Sequence, residues 1–404
     1  MQTKTLEITN GSVSTPIGFR AAGVHASIKQ TGPDLALIMS DTPCAVAAMF
    51  TTNQVPAHCI NLNKSKITSG VGQAIVINSG NANACTGEQG RLDAIEMAER
   101  TAAGLSLTPD LVYVANTGII GSQLPMDLVR RGIDKACCSL TPQGGVDAAW
   151  AIMTTDTRPK HFSLQFDLGD STCTIGVIAK GSGMINPNMA TMICVFTTDV
   201  AINQEMLREA LKETVDVSLN MLTVDGEMST NDCVFLFANG AAGNQEITSK
   251  DKLYRQFRDA LRQLAIAMTK EIALDGEGAT KLVIVTVDGA KSHQDAVEAA
   301  KSIANSNLVK TAIFGMDPNW GRVVQAIGAS GAQVNLDTFS IRFADIPVAE
   351  NGGRIEYDSL AMHVALQNKE IPIHADLGCG SSSATVYTCD LTHDYITINA
   401  DYHT

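Results

Sequence analysis

The chain has 404 residues, of which 45% are hydrophobic and 18% are charged, and its formal net charge is −13. This composition excludes a disordered chain and provides enough apolar side chains for one large domain or two ordinary ones. The negative charge argues against nucleic acid and anionic lipid as partners, because both repel an acidic protein. An anionic small substrate remains compatible with it, since a site can be locally basic.

The ten cysteines show neither a CxxC pair nor a Cys/His spacing typical of zinc sites. Most lie inside apolar runs, as Cys44, Cys194 and Cys233 do, which is typical of reduced, buried thiols in a cytosolic protein. The first residues lack the apolar region of a signal peptide, and no apolar run is long enough to span a bilayer. We therefore expect a cytoplasmic protein without a metal or a membrane partner.

Apolar, β-rich runs alternate with helical patterns along the chain. Strands are predicted at 74–78, 111–115, 172–179, 192–197, 233–238 and 282–287. Helices are predicted at 91–105, 204–222 and 295–304, and between Leu253 and Ile272, where apolar residues recur at helical spacing. Ser292 is the predicted N-cap of the last helix. The mixture predicts a layered α/β or α+β fold.

Six loops are unusually rich in Gly, Asn, Ser and Thr. They cover residues 78–90, 116–126, 180–192, 225–232, 275–281 and 317–322. An ordinary turn needs only one or two such residues. Long polar loops at the ends of strands are where binding and catalytic sites are usually built, so six of them favour an enzyme.

Within the third of these loops, the small residue Ala190 precedes Thr191 at the start of a predicted strand. This order suits an N-to-O acyl shift, in which the Thr191 hydroxyl attacks the Ala190 carbonyl and the resulting ester is hydrolysed. The new α-amine of Thr191, with an ordinary pKa of about 7.7–8.0, can then act as the base for its own hydroxyl. A threonine at a strand start is common, so the pattern alone does not distinguish a nucleophile from ordinary structure.

Nine motifs in order along the chain give this threonine its context. They are GFRAAGVHASIK (18–29), LALIMSDTPCAVAAMFTTN (35–53), IVINSGNANACTGEQG (75–90), IMTTDTRPK (152–160), AKGSGMINPNMATM (179–192), TVDGEMSTND (223–232), DGEGATK (275–281), AIFGMDPNWGR (312–322) and INADYHT (398–404). Together they resemble the ornithine acetyltransferase family, the glutamate N-acetyltransferases of arginine biosynthesis. The resemblance implies an α/β, αββα sandwich of the N-terminal-nucleophile type, as in ornithine acetyltransferases and related aminopeptidases.

The resemblance also implies the site. Thr191 is the implied nucleophile, cleavage falls between Ala190 and Thr191, and Thr117 and Gly118 form the implied oxyanion hole. A hydroxyl and a backbone N–H at a strand end can both donate to a developing oxyanion, and each such donor is typically worth a few kcal/mol. The implied substrate contacts are Thr154, Lys180, Thr191, Glu277, Asn399 and the C-terminal Thr404.

These residue types suit an acylated α-amino acid with an amino-bearing tail. Lys180 can pair with the substrate α-carboxylate. Glu277 can accept a hydrogen bond from the distal ammonium of ornithine, or assist proton transfer near Thr191. Thr154 and Asn399 can orient the acetamide by hydrogen bonds.

The implied reaction moves acetyl from N2-acetyl-L-ornithine to L-glutamate in ping-pong order through an acetyl ester on Thr191. No cofactor is expected, and the resemblance leaves open whether acetyl-CoA is a second acetyl donor. Cleavage would divide the chain into residues 1–190 and 191–404, which we expect to remain together in a heterotetramer with two copies of each piece.

Two segments carry no transferred role. Arg322, in DPNWGR, is left out of the predicted site, and LGCGSSSATVY (377–387) stands where a Gly-Arg-Gly-Asp-like stretch is expected. The lost basic residue there would affect a local ion pair or the substrate preference, and it leaves the proposed nucleophile unchanged. Alternative functions are a self-processed aminopeptidase or amidase on the same kind of fold and a noncatalytic metabolite-binding protein. A dinucleotide-binding enzyme is disfavoured, because residues 181–183 do not form a GxGxxG fingerprint.

Overall fold

The computed structural model describes residues 6–186 and 192–401. Their strands, β1 to β15 in chain order, are Ile8–Thr9, Phe19–Val24, Leu35–Phe50, Val71–Asn81, Val112–Ile119, Lys160–Leu168, Ser171–Lys180, Ile193–Thr198, Cys233–Ala238, Leu282–Ala290, Ser340–Phe343, Ile346–Glu350, Gly353–Arg354, Glu370–Asp376 and Ser382–Cys389. Their helices, α1 to α11, are His58–Lys66, Gly87–Leu105, Met126–Cys138, Gly145–Ala151, Gln204–Val215, Lys252–Leu274, His293–Ala304, Asn307–Phe314, Trp320–Ala329, Ser359–Leu366 and His393–Asp401.

The larger sheet has the strand order β1-β6-β7-β8-β9-β3-β4-β5, and β2 also pairs with β3. Strand β3 is sixteen residues long, and its pairing with β4 is interrupted between Met39 and Cys44. The sheet folds over on itself at this irregularity. The ring of Tyr113 on β5 lies 5.3 Å from that of Phe235 and 5.9 Å from that of Phe237 on β9, although two strands separate β5 from β9 in the sheet. Two sheet layers therefore face each other across an apolar core.

Helices cover both outer faces of this double layer. Helices α1, α2 and α3 pack against β5, β3 and β2, while α5 and α6 pack against β3, β9, β6 and β7. The predicted α/β class and its αββα arrangement are confirmed. A second sheet has the strand order β13-β12-β11-β14-β10-β15. Helix α6 also contacts β10 and β15 of this sheet, so that a wide face of the helix is buried. None of the described helices is long and apolar enough to cross a bilayer.

The chain order of the sheet is unusual around the predicted cleavage bond. Strands β8 and β9 follow Thr191 in the chain, yet they lie between β7 and β3, which precede it. Strand β7 runs antiparallel to β8, with Lys180 opposite Ile193, and β3 runs antiparallel to β9, with Phe50 opposite Cys233. The two predicted pieces therefore share one sheet.

The predicted strands each overlap an observed one, namely β4, β5, β7, β8, β9 and β10. The predicted N-cap is confirmed, since the Ser292 hydroxyl accepts from the Asp295 N–H at 3.1 Å at the start of α7. The helix predicted at 204–222 is too long, because α5 ends at Val215. There the Ser218 hydroxyl donates to the Thr214 carbonyl at 2.7 Å, and the Ser218 backbone leaves the helical region at φ −131° and ψ −91°.

The interpretation of the cysteines as buried thiols holds for most of them, including Cys44, Cys194 and Cys233. It is wrong for Cys85 and Cys138, which are exposed. Cys85 lies in a turn before α2 with φ +58°, and Cys138 is the last residue of α3. Cys85 thus lies between β4 and α2, and Cys138 at the end of a helix, rather than in the apolar strands on which the interpretation rested.

Candidate active site

One pocket collects the predicted site residues from separate parts of the chain. Its lining includes six of them: Thr117, Gly118, Thr154, Lys180, Glu277 and Asn399. They come from β5, the segment after α4, the end of β7, the loop after α6, and α11. Met192 and Ile193, the two residues that follow the predicted nucleophile, line the same pocket. Thr191 itself, Ala190 and Thr404 lie outside the described residues.

The predicted oxyanion pair lies at the end of β5, where β5 runs parallel to β4. Thr117 pairs with Ser79, and Gly118 pairs with Gly80. Gly118 has φ +132°, and a Cβ atom there would lie 2.3 Å from the carbonyl carbon of Gly80. Only glycine can adopt this backbone conformation at this distance from a neighbouring strand. The close contact between the two strands thus explains why a glycine follows Thr117.

A buried charge cluster supports the floor of the pocket. The Lys160 ammonium lies 2.6 Å from Asp156 and 2.5 Å from Asp275, and all three side chains are at most 1% exposed. Burial alone would raise the pKa of the Asp156 carboxyl, but the Lys160 and Lys180 ammonium groups and its hydrogen bonds hold that pKa below its ordinary value. Asp156 also accepts from the backbone N–H groups of Thr154 at 3.0 Å and Gly181 at 2.8 Å. It therefore fixes two pocket segments relative to each other.

Lys180 is the buried cation that faces the pocket. In the ranges that the structure describes, no carboxylate oxygen lies within 4.0 Å of its Nζ atom. Burial is the main cause that lowers the pKa of Lys180, and the Asp156, Asp232 and Glu277 carboxylates partly oppose that effect. A buried ammonium in this setting gains from an anionic ligand, because a partner offsets the loss of hydration.

Glu277 and Asn399 meet across the pocket. The Asn399 side-chain amide donates to Oε2 of Glu277 at 2.7 Å, and the Glu277 N–H donates to the Ser182 carbonyl at 2.9 Å. A Cβ atom at Gly183 would lie 2.3 Å from the Glu277 carboxyl group, so a larger residue there would displace the carboxylate from this position. The contact holds the C-terminal helix α11 against the pocket.

The loop before β9 and the first residue of β9 hold the chain on the two sides of the predicted cleavage bond. On the upstream side, the Asp225 carboxylate accepts from the N–H groups of Met184 at 2.6 Å and Ile185 at 2.8 Å. On the downstream side, the Cys233 N–H donates to the Met192 carbonyl at 2.9 Å. The loop and the first residue of β9 therefore hold chain segments on the two sides of the predicted bond between Ala190 and Thr191.

Asn231, in this loop, is a site residue that the sequence interpretation missed. Its side-chain amide donates to the Asn116 carbonyl at 2.8 Å and to the Ala82 carbonyl at 2.6 Å. Asn116 directly precedes Thr117, so Asn231 joins the start of β9 to the predicted oxyanion hole. The polar composition of residues 225–232 was the available signal, but composition alone does not assign a role to one residue.

Asp232 is the second missed residue. It lines the pocket and is 3% exposed, and its Oδ2 atom has no hydrogen-bond partner among the described residues. Burial raises the pKa of the Asp232 carboxyl well above its ordinary value, against the opposing effects of Ser229 and Lys180. The pocket thus contains a buried carboxyl oxygen that lacks a partner.

The two segments without a predicted role lie away from this pocket. The Asn319 side chain accepts from the Arg322 N–H at the start of α9, and the Arg322 guanidinium donates to the Leu308 carbonyl at 2.6 Å. DPNWGR therefore joins α8 to α9. Residues 377–387 form the connection from β14 to β15 and the first part of β15.

A family model described as the ArgJ family matches residues 20–404. The arginine biosynthesis bifunctional protein ArgJ of Symbiobacterium thermophilum is 50% identical, and that of Caldanaerobacter subterraneus subsp. tengcongensis is 46% identical; each alignment covers 99% of this chain and 100% of the relative. The crystal structure of the ArgJ protein from Bacillus halodurans is 39% identical and has a TM-score of 0.51, and it covers 52% of this chain and 100% of that chain. With relatives that align along its whole length, the chain belongs to the ArgJ family.

Proposed function

We propose that Thr191 is the nucleophile with which this chain, a glutamate N-acetyltransferase of arginine biosynthesis, moves acetyl from N2-acetyl-L-ornithine to L-glutamate. The relatives that are 46% and 50% identical are named for arginine biosynthesis, and their names do not favour the aminopeptidase alternative. One observation carries the mechanism. Thr117, Gly118, Lys180 and Glu277 come from distant parts of the chain and line one pocket with Met192, which is covalently bonded to Thr191.

The first step creates the nucleophile. The Thr191 hydroxyl oxygen bonds to the Ala190 carbonyl carbon, the peptide C–N bond breaks as its nitrogen takes a proton, and water hydrolyses the ester. Residues 1–190 and 191–404 result. The solved chain from Bacillus halodurans supports this step, because its full length corresponds to 52% of this chain, close to the share of one piece.

The second step transfers the acetyl group. Lys180 binds the substrate α-carboxylate, Glu277 accepts from the distal ammonium, and Thr154 and Asn399 orient the acetamide. The hydroxyl of Thr117 and the N–H of Gly118 stabilise the oxyanion when the Thr191 hydroxyl attacks the acetyl carbon. Ornithine leaves with the proton that the α-amine has taken from the hydroxyl, and glutamate then removes the acetyl group by the reverse sequence.

The mechanism is tested with Thr191→Ala and Thr191→Ser, and with Thr311→Ala as a control on an exposed part of α8. Denaturing mass spectrometry measures cleavage, and formation of N-acetylglutamate from acetylornithine and glutamate measures transfer. We expect Thr191→Ala to abolish both, Thr191→Ser to retain a part of each, and the control to match the wild type. A wild-type chain that stays uncut and transfers acetyl at full rate would refute the mechanism.

The oxyanion assignment has its own test. Removing one such donor usually lowers kcat by about a hundredfold or more. We expect Thr117→Ala to lower kcat by a similar factor, whereas the cleaved variant should still bind substrate. A kcat within about twofold of the wild type would show that Thr117 is not a donor.

The same assay separates the remaining alternatives. Omitting glutamate distinguishes transfer from hydrolysis, because an amidase would release ornithine at an undiminished rate without an amino-acid acceptor. Replacing acetylornithine by acetyl-CoA shows whether that donor also loads Thr191; the mechanism otherwise needs no cofactor. We also propose that the enzyme acts in the cytoplasm as two copies of each piece, with the C-terminal Thr404 at the substrate. Native mass spectrometry measures the assembly.

A further inference from the structure

Asp232 is a buried acid at the pocket to which the mechanism above gives no task. We propose that Asp232 is a positioning residue, which accepts a hydrogen bond from the α-amine of Thr191 and holds that amine in place as the catalytic base. The inference rests on the proposed function, because this amine exists only after cleavage. An activated nucleophile whose base is in turn oriented by a third group is a recurrent arrangement in acyl transfer.

The register of strands β8 and β9 places Asp232 level with Met192, the residue that directly follows the nucleophile in the chain. These strands run parallel, Ile193 lies opposite Cys233, and the Cys233 N–H donates to the Met192 carbonyl at 2.9 Å. Asp232 is bonded to Cys233, as Thr191 is bonded to Met192. Met192, the covalent neighbour of Thr191, and Asp232 both line the pocket.

The state of the Asp232 carboxyl explains why it would bind an amine. Its Oδ2 atom is buried without a partner among the described residues, which is costly for a polar atom. Burial raises the pKa of this carboxyl well above its ordinary value, so a neighbouring cation would favour its ionised form. Cleavage produces an α-amine, which becomes such a cation when it takes the proton of the Thr191 hydroxyl.

The charged groups around Asp232 do not include a cation paired with its carboxylate among the described residues. Lys180, on β7, is the charged side chain that acts on Asp232 directly. No ion pair within 4.0 Å links the two in the described ranges, and Lys180 is assigned to the substrate carboxylate. The Ser229 hydroxyl and backbone N–H stabilise the ionised carboxyl only in part, because its pKa remains raised. An amine at Thr191 would add the missing hydrogen-bond donor to the groups that stabilise the ionised Asp232 carboxyl.

The role of Asp232 in the reaction follows the proton. As the bond between the Thr191 oxygen and the acetyl carbon forms, the hydroxyl proton passes to the α-amine, and the carbonyl electron pair moves to the oxygen at Thr117 and Gly118. The resulting ammonium is stabilised by the Asp232 carboxylate. It then gives the proton to the ornithine nitrogen as the C–N bond breaks, so that no other reactant is required.

Two variants test the assignment in the full-length protein. Asp232→Asn keeps the size of the side chain but removes the carboxylate, and Asp232→Ala leaves space that formate can occupy. Asp199→Asn is the matched control, because Asp199 is also a fully buried carboxyl with a raised pKa, but it accepts from Thr174 and Ile17 N–H groups away from the pocket. Cleavage, kcat, KM and thermal unfolding are measured for each.

We expect Asp232→Asn to be cleaved, because no α-amine acts in that step, and to lose about a hundredfold or more in kcat with KM within about threefold. Added formate should raise the kcat of Asp232→Ala at least about tenfold and leave Asp232→Asn unchanged. Asp199→Asn should keep its kcat within about threefold, even where its unfolding temperature falls. The formate response is a readout that a purely structural role would not produce.

The inference is overturned if Asp232→Asn retains kcat within about threefold, if it fails to be cleaved, or if formate does not restore Asp232→Ala. Where Asp232→Asn does not fold, Asp232→Ala with formate decides. The wild type in the same experiment separates failure of the proposed function from failure of the role of Asp232. An uncut, inactive wild type refutes the proposed function, whereas a cut, active wild type beside an equally active Asp232→Asn refutes only the role of Asp232.

Discussion

Lys160 and Lys180 are two buried lysines at the same end of the β6–β7 pair, where Lys160 lies opposite Ala179. Lys160 contacts two carboxylates, Asp156 and Asp275, at 2.6 and 2.5 Å. Lys180 has no carboxylate within 4.0 Å in the described ranges, and it lines the pocket. The comparison teaches that burial alone does not identify a binding cation. The decisive difference is whether the protein itself supplies the counter-charge.

The largest expected effect comes from removing the paired lysine. Lys160→Met removes the ammonium that contacts the buried Asp156 and Asp275 carboxylates, of which Asp275 keeps a second cation in Arg158 at 3.3 Å, and breaking a buried pair in this way costs about 3–5 kcal/mol of unfolding free energy. Urea unfolding of this variant measures the loss. Lys212→Met is the control, because the Lys212–Asp216 pair is exposed and worth at most about 1 kcal/mol. A similar loss of unfolding free energy in both variants would show that the buried Lys160 pairs stabilise the protein no more than the exposed Lys212 pair.

Lys180→Met should have the opposite profile. The free energy of unfolding should stay the same or rise, because an unpaired buried ammonium is removed. The KM for both acetylornithine and glutamate should increase about a hundredfold, close to the 1.5–3 kcal/mol of a hydrogen bond to a charged group. Steady-state kinetics with each substrate checks this. Unchanged KM values would show that the α-carboxylate binds elsewhere.

Asn231→Ala should produce a smaller loss, which we expect to appear in kcat. The change removes both donors that join β9 to the Asn116 and Ala82 carbonyls. A loss of about 2 kcal/mol of transition-state stabilisation corresponds to a roughly thirtyfold lower kcat. The experiment is a comparison of kcat and KM in cleaved protein. If KM rises and kcat does not fall, Asn231 acts on the substrate site rather than on the oxyanion hole.

The smallest effect is a pH dependence of substrate binding. Burial lowers the pKa of Lys180 below the ordinary lysine value of 10.5. Because the protonated form binds the carboxylate, affinity is complete below the lowered pKa and is lost as pH rises through it. KM should therefore increase in alkaline buffer before an ordinary lysine would titrate. In Lys180→Arg, whose guanidinium stays charged, the alkaline rise of KM should disappear.

The sequence predicted the elements whose pattern is purely local. The strand at 233–238 coincides with β9, and the cap at Ser292 is the one observed. The site residues were placed by motif resemblance, and the structure brings six of them into one pocket. Their roles stay predictions until the variants are measured.

Other features depend on contacts that no local pattern contains. The folding of the sheet at β3 is indicated by the contacts of Tyr113 with Phe235 and Phe237, which lie far from it in the sequence. The task of Asn231 follows from carbonyl groups 115 and 149 residues away in the chain. The different partners of Lys160, at the start of β6, and Lys180, at the end of β7, likewise arise from packing and not from a local sequence pattern.

The central position of β8 and β9 between β7 and β3 has a kinetic consequence for the cleaved protein. An uncut chain refolds as a unimolecular process, whereas two separate polypeptides that share a sheet must first meet by diffusion. Once the proposed cut has been made, recovery from denaturant should therefore become second order, with a yield that depends on protein concentration. The same ladder of strands that keeps the pieces together in the native state makes their separation hard to reverse.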